Sequence, residues 1–381
     1  MVALDILPAA VLTSIYWSVR IATGWNSFPG MIWVTSCRRL AIGPDMKCAI
    51  IGCSFPACVP NAVDPEWKKA KMKTKFLSLL IFIGLLASCQ AAPTTSSTSS
   101  PKVLAIETFL TDIARNVAGD HLQISSLIPP GVDPHSFELT PQDVAKLSSS
   151  NLILTNGAGL ESWLQTTLTS NASNITVVEA SKGLANRAPK PGEIPPSQLV
   201  NSAGVVVDPH FWLDPIDVIT YVNNIRDAFS VLDPSNAASY ASNATAYIAQ
   251  LNATDQWIQA QVNQIPAQNR LLVTNHETFG YYADRYGFKI VGAVIPSTST
   301  DASPSAQQMA DLINIIKADK VKAIFLEVGS NPQLAQQVAT ETGIQIVETL
   351  WTHSTSPAGG PATTYIDMMK YDTTEIVNAL K

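Results

Sequence analysis

Residues 233–265 read DPSNAASYASNATAYIAQLNATDQWIQAQVNQI, and the fold turns on whether this stretch is one helix. Asp233 stands at a capping position, and Pro234 suits the first helical position, where its missing N–H costs nothing. Apolar residues recur at Ala237, Tyr240, Ala241, Ala244, Tyr247, Ile248 and Leu251, the spacing of a single helix face. At 1.5 Å per residue, roughly 30 residues extend about 45 Å, more than a crossover within one small sheet requires. The stretch predicts a rigid rod that bridges two bodies.

On either side of the rod, short apolar runs alternate with helical patterns, the signature of α/β architecture with mainly parallel strands. Before it, KVLAIET, LQISSLI, NLILTN and ITVVEA read as strands, with helices at FLTDIARNVAG, from Pro141, and at GAGLESWLQTTL (157–168). Thr140 and Asp143 mark the start of the second of these helices. After the rod, RLLVTN, KIVGAVI, KAIFLEV and IQIVETL restart the alternation. The expected organisation is an N-terminal lobe over 102–232, a linker helix over 233–265 and a C-terminal lobe over 266–381. Residues 181–207, rich in proline and glycine, read as a long surface loop.

The chain has 381 residues, 46% hydrophobic and 14% charged, with a net charge of −6. That is ample for a large core, and no basic block occurs beyond residues 68–75, which argues against nucleic acid as a partner. The first ninety residues differ in kind. A lysine-rich segment leads into an apolar run from Phe76 to Leu86 that ends Leu86-Ala87-Ser88-Cys89. The run suits a secretion signal over 72–88 better than a membrane span, and its ending resembles the bacterial lipobox, with Cys89 as the lipidated residue. QAAPTTSSTSSP then reads as a flexible tether, so 89–101 connects membrane to domain. With Met72 as the natural start, residues 1–71 are expected to be a non-native upstream extension without a stable fold. They hold Cys37, Cys48, Cys53 and Cys58, which lack a paired CxxC pattern.

The chain has five histidines. His135 follows the strand LQISSLI, His276 follows RLLVTN, and His353 lies just past IQIVETL. Open α/β sheets place ligand sites beyond the carboxyl ends of their strands. His210, in DPHFWLDPIDV, precedes a helix. By sequence two of these four belong to each lobe, and together they suit tetrahedral Zn²⁺. His121, in AGDHLQ, reads as a solvated turn residue. Taken alone, spacing leaves open whether the four bind metal or are ordinary structural histidines.

The motifs GVDPHSFELTPQDV, LILTNGAGLESWL, DPHFWLDP, NHETFGYYADRYG and AIFLEVGSNPQLAQQVATETG carry a resemblance. From about residue 101 to 381 the chain resembles the substrate-binding lipoproteins of metal-ion ABC transporters, the cluster A-I proteins that take up zinc or manganese. The resemblance implies two lobes, a long backbone helix, limited lobe movement and a metal between the lobes. It maps ligands onto His135, His210 and His276; the fourth position is usually aspartate, where this chain has His353. The implied partners are a divalent metal ion, an ABC permease with its ATPase, and the membrane through Cys89.

Manganese favours oxygen ligands and zinc accepts nitrogen, so a set without carboxylates points to Zn²⁺, with Mn²⁺ as the alternative. Glu277 and Glu327 are the acids placed to orient a ligand ring. Surface adhesion with a purely structural metal is a further reading. An enzyme is disfavoured: HETFG breaks HExxH at Gly280, no GxSxG or GxxxxGK[ST] occurs, and NGAGLES lacks the third glycine of a dinucleotide loop.

Overall fold

The computed structural model describes residues 100–164, 167, 175–187, 190 and 207–381. The expectations for 1–71, for the signal at 72–88, for Cys89 and for most of the tether lie outside the described residues, as does most of the 181–207 loop. No helix among the described residues is long and apolar enough to cross a membrane.

Among the described residues two four-stranded sheets form, both entirely parallel. The first contains β1 (Lys102–Ala105), β2 (Gln123–Ser126), β3 (Leu152–Thr155) and β4 (Thr176–Glu179) in the order β2-β1-β3-β4. The second contains β5 (Leu271–His276), β6 (Lys289–Ile295), β7 (Ala323–Glu327) and β8 (Gln345–Leu350) in the order β6-β5-β7-β8. The helices of the first half are α1 (Thr108–Ala118), α2 (Pro141–Ser148) and α3 (Asp217–Leu232). After α4 (Ala237–Val262) come α5 (Gly280–Tyr286), α6 (Ala306–Asp319), α7 (Gln333–Thr342) and α8 (Tyr365–Leu380).

The rod is α4, with 26 residues, about 39 Å long at 1.5 Å per residue. It is shorter than the sequence suggests because Pro234–Asn236 form a 3₁₀ turn ahead of it. Asp233 does not cap the helix backbone; its carboxylate accepts from Ser235, Asn236 and Tyr240 instead. The buried face of α4 is Tyr240, Ala244, Tyr247, Leu251, Thr254, Ile258 and Val262, steps of three and four residues that keep one stripe inward. At α2 the expected start is present in full. Thr140 Oγ1 accepts from Asp143 N–H, and Asp143 accepts from Thr140 N–H, a reciprocal cap. Of the expected helix at 157–168, residues 158–163 form turns, and part of the remainder is outside the described residues.

Strand alternation explains how the core is divided. In β1, Val103 and Ala105 enter one cluster while Leu104, with Ile106 just past the strand, enters another. In β7, Ala323 and Phe325 enter that same first cluster, and Ile324 and Leu326 enter a third. One face of each sheet thus contributes to a single continuous core that also holds Trp212, Tyr240, Leu251, Tyr282 and Tyr365. Fully burying one such side chain stabilises by about 1.5–3 kcal/mol, so wide separation of the halves would expose several of them at once. The described residues of Pro93–Lys381 accordingly belong to one compact unit.

Candidate metal centre

The two halves meet where their loops converge. His276 ends β5, His135 lies in the loop between β2 and α2, His353 follows β8, and His210 precedes a 3₁₀ turn at Phe211–Leu213. All four are buried, at 6% exposure for His135, 0% for His210 and His276, and 9% for His353. One ring nitrogen from each lies within 4.8 Å of the others. His210 Nε2 is 3.3 Å from His135 Nε2 and 3.3 Å from His276 Nε2. The six centroid separations span only 5.0 to 5.3 Å. Four equidistant rings define a tetrahedron. Two of the six nitrogen–nitrogen edges are 3.3 Å and the others stay within 4.8 Å; a regular tetrahedron with 3.3 Å edges would have its centre about 2.0 Å from each corner, the length of a zinc–imidazole bond. His121 lies apart, half-buried and edge-on to Tyr240 at 5.9 Å.

Three of the rings are held on their outer side, each by a different device, and His135 through its backbone. Asp208 Oδ1 is 2.8 Å from His210 Nδ1 and also accepts from the His210 backbone N–H. With Nδ1–H donated to the carboxylate, Nε2 presents its lone pair inward. Glu327 Oε1 is 3.2 Å from His276 Nδ1 and accepts from Thr278 Oγ1. Thr352 Oγ1 lies 2.9 Å from His353 Nδ1, while His353 Nε2 is buried without a hydrogen-bond partner. Asp133 Oδ1 accepts from His135 N–H. Beneath the rings lies Trp212, 5.1 Å from His210 and 5.6 Å from His353, itself stacked on Phe109 at 4.5 Å.

Burial dominates the protonation of the cluster. It pushes His135 down to about 3, with His276 adding to the effect, and holds His210 and His353 well below the ordinary imidazole range. Burial acts on His276 in the same direction, but attraction to Glu327 outweighs it and raises this histidine. Three rings are thus held toward the neutral form and His276 toward the protonated one, while burial raises Asp208, against the His210 ring, to about 7. If a cation binds here, its affinity should fall with decreasing pH along a slope of about one to two protons, from His276 and Asp208, not the three or four expected of independent imidazoles. Zinc titrations repeated between pH 5 and 8 measure that slope.

Comparison with known proteins now adds to the geometry. Residues 103–379 match the family described as "ZnuA: Zinc-uptake complex component A periplasmic". The chain belongs to this family. The "Manganese-binding lipoprotein MntA" of Halalkalibacterium halodurans is 32% identical over 311 residues, covering 81% of this chain and 99% of the relative. The "Iron-binding protein YfeA" of Yersinia pestis is 34% identical over 295 residues, covering 77% and 91%. The solved structure of the periplasmic zinc binding protein TroA from Treponema pallidum superposes with a TM-score of 0.66 at 28% identity, covering 74% of this chain and 99% of that one. Members of the ZnuA family are substrate-binding components of metal-ion ABC transporters and not enzymes.

Sequence reasoning anticipated Glu327 but missed Asp208, Thr352 and Asp133. A signal existed. Asp-Pro-His occurs twice, at 133–135 and 208–210, and each aspartate accepts the backbone N–H of its own histidine at 2.9 and 3.0 Å. Proline between them fixes the local backbone, so each histidine enters from a prebuilt Asx turn.

Proposed function

We propose that this chain captures Zn²⁺ outside the cytoplasm, with His135, His210, His276 and His353 as its four ligands, and delivers it to an ABC permease and its associated ATPase. The observation that carries the reading is a buried cluster made only of imidazoles, one nitrogen of each within 4.8 Å of the others. Neutral nitrogen donors suit zinc, whereas manganese prefers carboxylate oxygen. Relatives are named for manganese, iron and zinc, so the donor set, and not kinship, supports the choice. Asp208 and Glu327 place a carboxylate behind two of the rings, supplying the negative charge that the ligands themselves lack. Tethering through a lipid on Cys89 is part of the same reading. It is supported by Leu86-Ala87-Ser88-Cys89 and by relatives named lipoproteins.

Competitive titration of metal-free protein with Zn²⁺ and Mn²⁺ tests the choice, with Co²⁺ as a spectroscopic reporter. Tetrahedral nitrogen ligation gives cobalt strong visible absorption, and zinc should displace it stoichiometrically. Tighter binding of manganese than of zinc would overturn the reading. Chelation separates a receptor from a structural metal protein. The continuous core contains none of the four histidines, so metal-free protein should unfold in one cooperative transition and rebind zinc in full. Zinc should raise its melting temperature by mass action.

A further inference from the structure

His353 is assigned to the second half by sequence, yet its loop is hydrogen-bonded to the first. Thr355 N–H donates to Thr108 Oγ1 at 2.7 Å, and Ser354 Oγ lies 3.1 Å from the same hydroxyl. Gly131 N–H donates to Ser354 Oγ at 2.8 Å, and Trp212 Nε1 donates to the Thr352 carbonyl at 2.6 Å. At the start of α8, Tyr365 Oη donates to the Trp212 carbonyl and Tyr365 N–H to Asp112. Thr108, Trp212, Thr352, Ser354 and Thr355 are all buried, so breaking these bonds would leave donors and acceptors stranded away from water.

His276 is held differently. Its neighbours bond within the second half: Glu277 N–H to the Ser297 carbonyl, Thr278 Oγ1 to Glu327, and β5 to β6 and β7. That half is joined to the first near the site by ties of another kind. Thr300 Oγ1 donates to Asp133 Oδ2 at 2.5 Å. Asp284, with a side chain 32% exposed, pairs with Arg187 and Lys190, and Arg285 pairs with Asp214 at 3.2 Å. The buried members are Tyr281 Oη, donating to the Asp208 carbonyl at 2.9 Å, and Thr298 Oγ1, donating to the Val207 carbonyl at a long 3.5 Å. Ion pairs that solvent reaches hold weakly. A cavity of about 470 Å³, lined in part by Asp133, Asn275, Thr300 and Asp301, lies beside the Thr300 tie.

We infer that the site divides three to one: His135, His210 and His353 stay together on the first half, and His276 is the ligand that parts when metal is released. This rests on the four-histidine metal site proposed above. The metal would leave from a three-imidazole seat that opens on the His276 side, past Thr300 and Asp133. Thr108 and Ser354 are then positioning residues, acting through the loop that carries His353.

The test uses zinc-loaded protein and the rate of zinc transfer to an excess chelator. In Thr108→Cys/Ser354→Cys, a disulfide across the 3.1 Å hydroxyl pair would lock the His353 loop to the first half. Oxidation should change the release rate less than about twofold relative to the same variant reduced. Thr300→Val/Tyr281→Phe removes two ties on the His276 side and should speed release about tenfold or more, as contact losses usually act on the off-rate, with the Co²⁺ spectrum retained. Slowing of release tenfold or more by the disulfide would overturn the inference, as would unchanged release in the Thr300/Tyr281 variant. If the disulfide does not form, hydrogen exchange decides. Peptides covering 352–355 should keep their protection in metal-free protein while those covering 276–280 and 298–301 lose it, and the reverse would sink the inference. Failure of zinc to bind at all in the equilibrium titration would instead reject the metal site itself.

Discussion

His210→Ala should weaken zinc binding by well over 100-fold while leaving a folded protein. The expectation follows from where His210 sits. It makes both of the 3.3 Å nitrogen contacts in the cluster, is fully buried, and is the ring whose outer nitrogen meets Asp208 at 2.8 Å. Losing only an outer partner of a metal ligand costs about 10–100-fold in affinity, and losing the ligand removes that contribution together with the metal bond. Alanine would also leave the Asp208 carboxylate without its ring partner. Burial already raises Asp208 to about 7 against the pull of the His210 backbone N–H and Arg187, so the carboxyl can take up a proton and limit the damage. A stability loss of about 1–3 kcal/mol is the expected scale for one orphaned buried group, measurable by denaturant unfolding of the metal-free protein. His121→Ala is the control. That ring is remote from the cluster and should leave zinc affinity unchanged. Calorimetric titration of both variants decides the matter, and near-normal zinc binding by His210→Ala would remove this histidine from the ligand set.

Much of this was legible in the chain because the relevant signals are local. The rod announced itself by the three-and-four spacing of Tyr240, Ala244, Tyr247 and Leu251, and the strands by short β-branched runs. The parallel sheets followed from their alternation with helices. Three of the four histidines could be placed at strand ends for the same reason. What could not be read is whatever depends on contact across the fold. The 3₁₀ turn at Pro234–Asn236 arises because Asp233 turns its carboxylate to Tyr240 rather than to the helix backbone. The contribution of Thr352 to holding His353 is a contact between neighbours, but nothing in the sequence distinguishes that threonine from any other. The attachment of the His353 loop to Thr108, 247 residues away from Thr355, has no local signature at all. Convergence of the four rings was likewise a wager on topology. His276 ends a strand and the other three rings sit in loops far apart in sequence, and nothing local to any of them says that the four meet.

His353→Asp should move the receptor toward manganese. With His353 the cluster offers only neutral nitrogens, and manganese gains little from them relative to zinc; a carboxylate restores a hard oxygen donor. The substitution is not neutral in shape. An aspartate oxygen reaches about as far as the present Nδ1, beside Thr352 Oγ1, and stops short of the point where Nε2 lies buried and unpartnered. Zinc therefore loses its fourth nitrogen and its tetrahedral fit, while manganese, tolerant of more and longer oxygen contacts, gains a donor with room for water beside it. The edge-on contact with Trp212 at 5.6 Å is lost for both metals and does not affect their ratio. The zinc-to-manganese affinity ratio should narrow by about tenfold or more, equivalent to at least about 1.4 kcal/mol, with most of the change in zinc. The added negative charge joins Asp208 and Glu327 around the same buried volume, so metal-free variant should take up a proton there and bind either metal with a steeper pH dependence than the parent. Competitive titrations of parent and variant at two pH values measure both effects. If the ratio and the slope are unchanged, His353 does not touch the metal, and the site is a three-histidine one with its fourth position open.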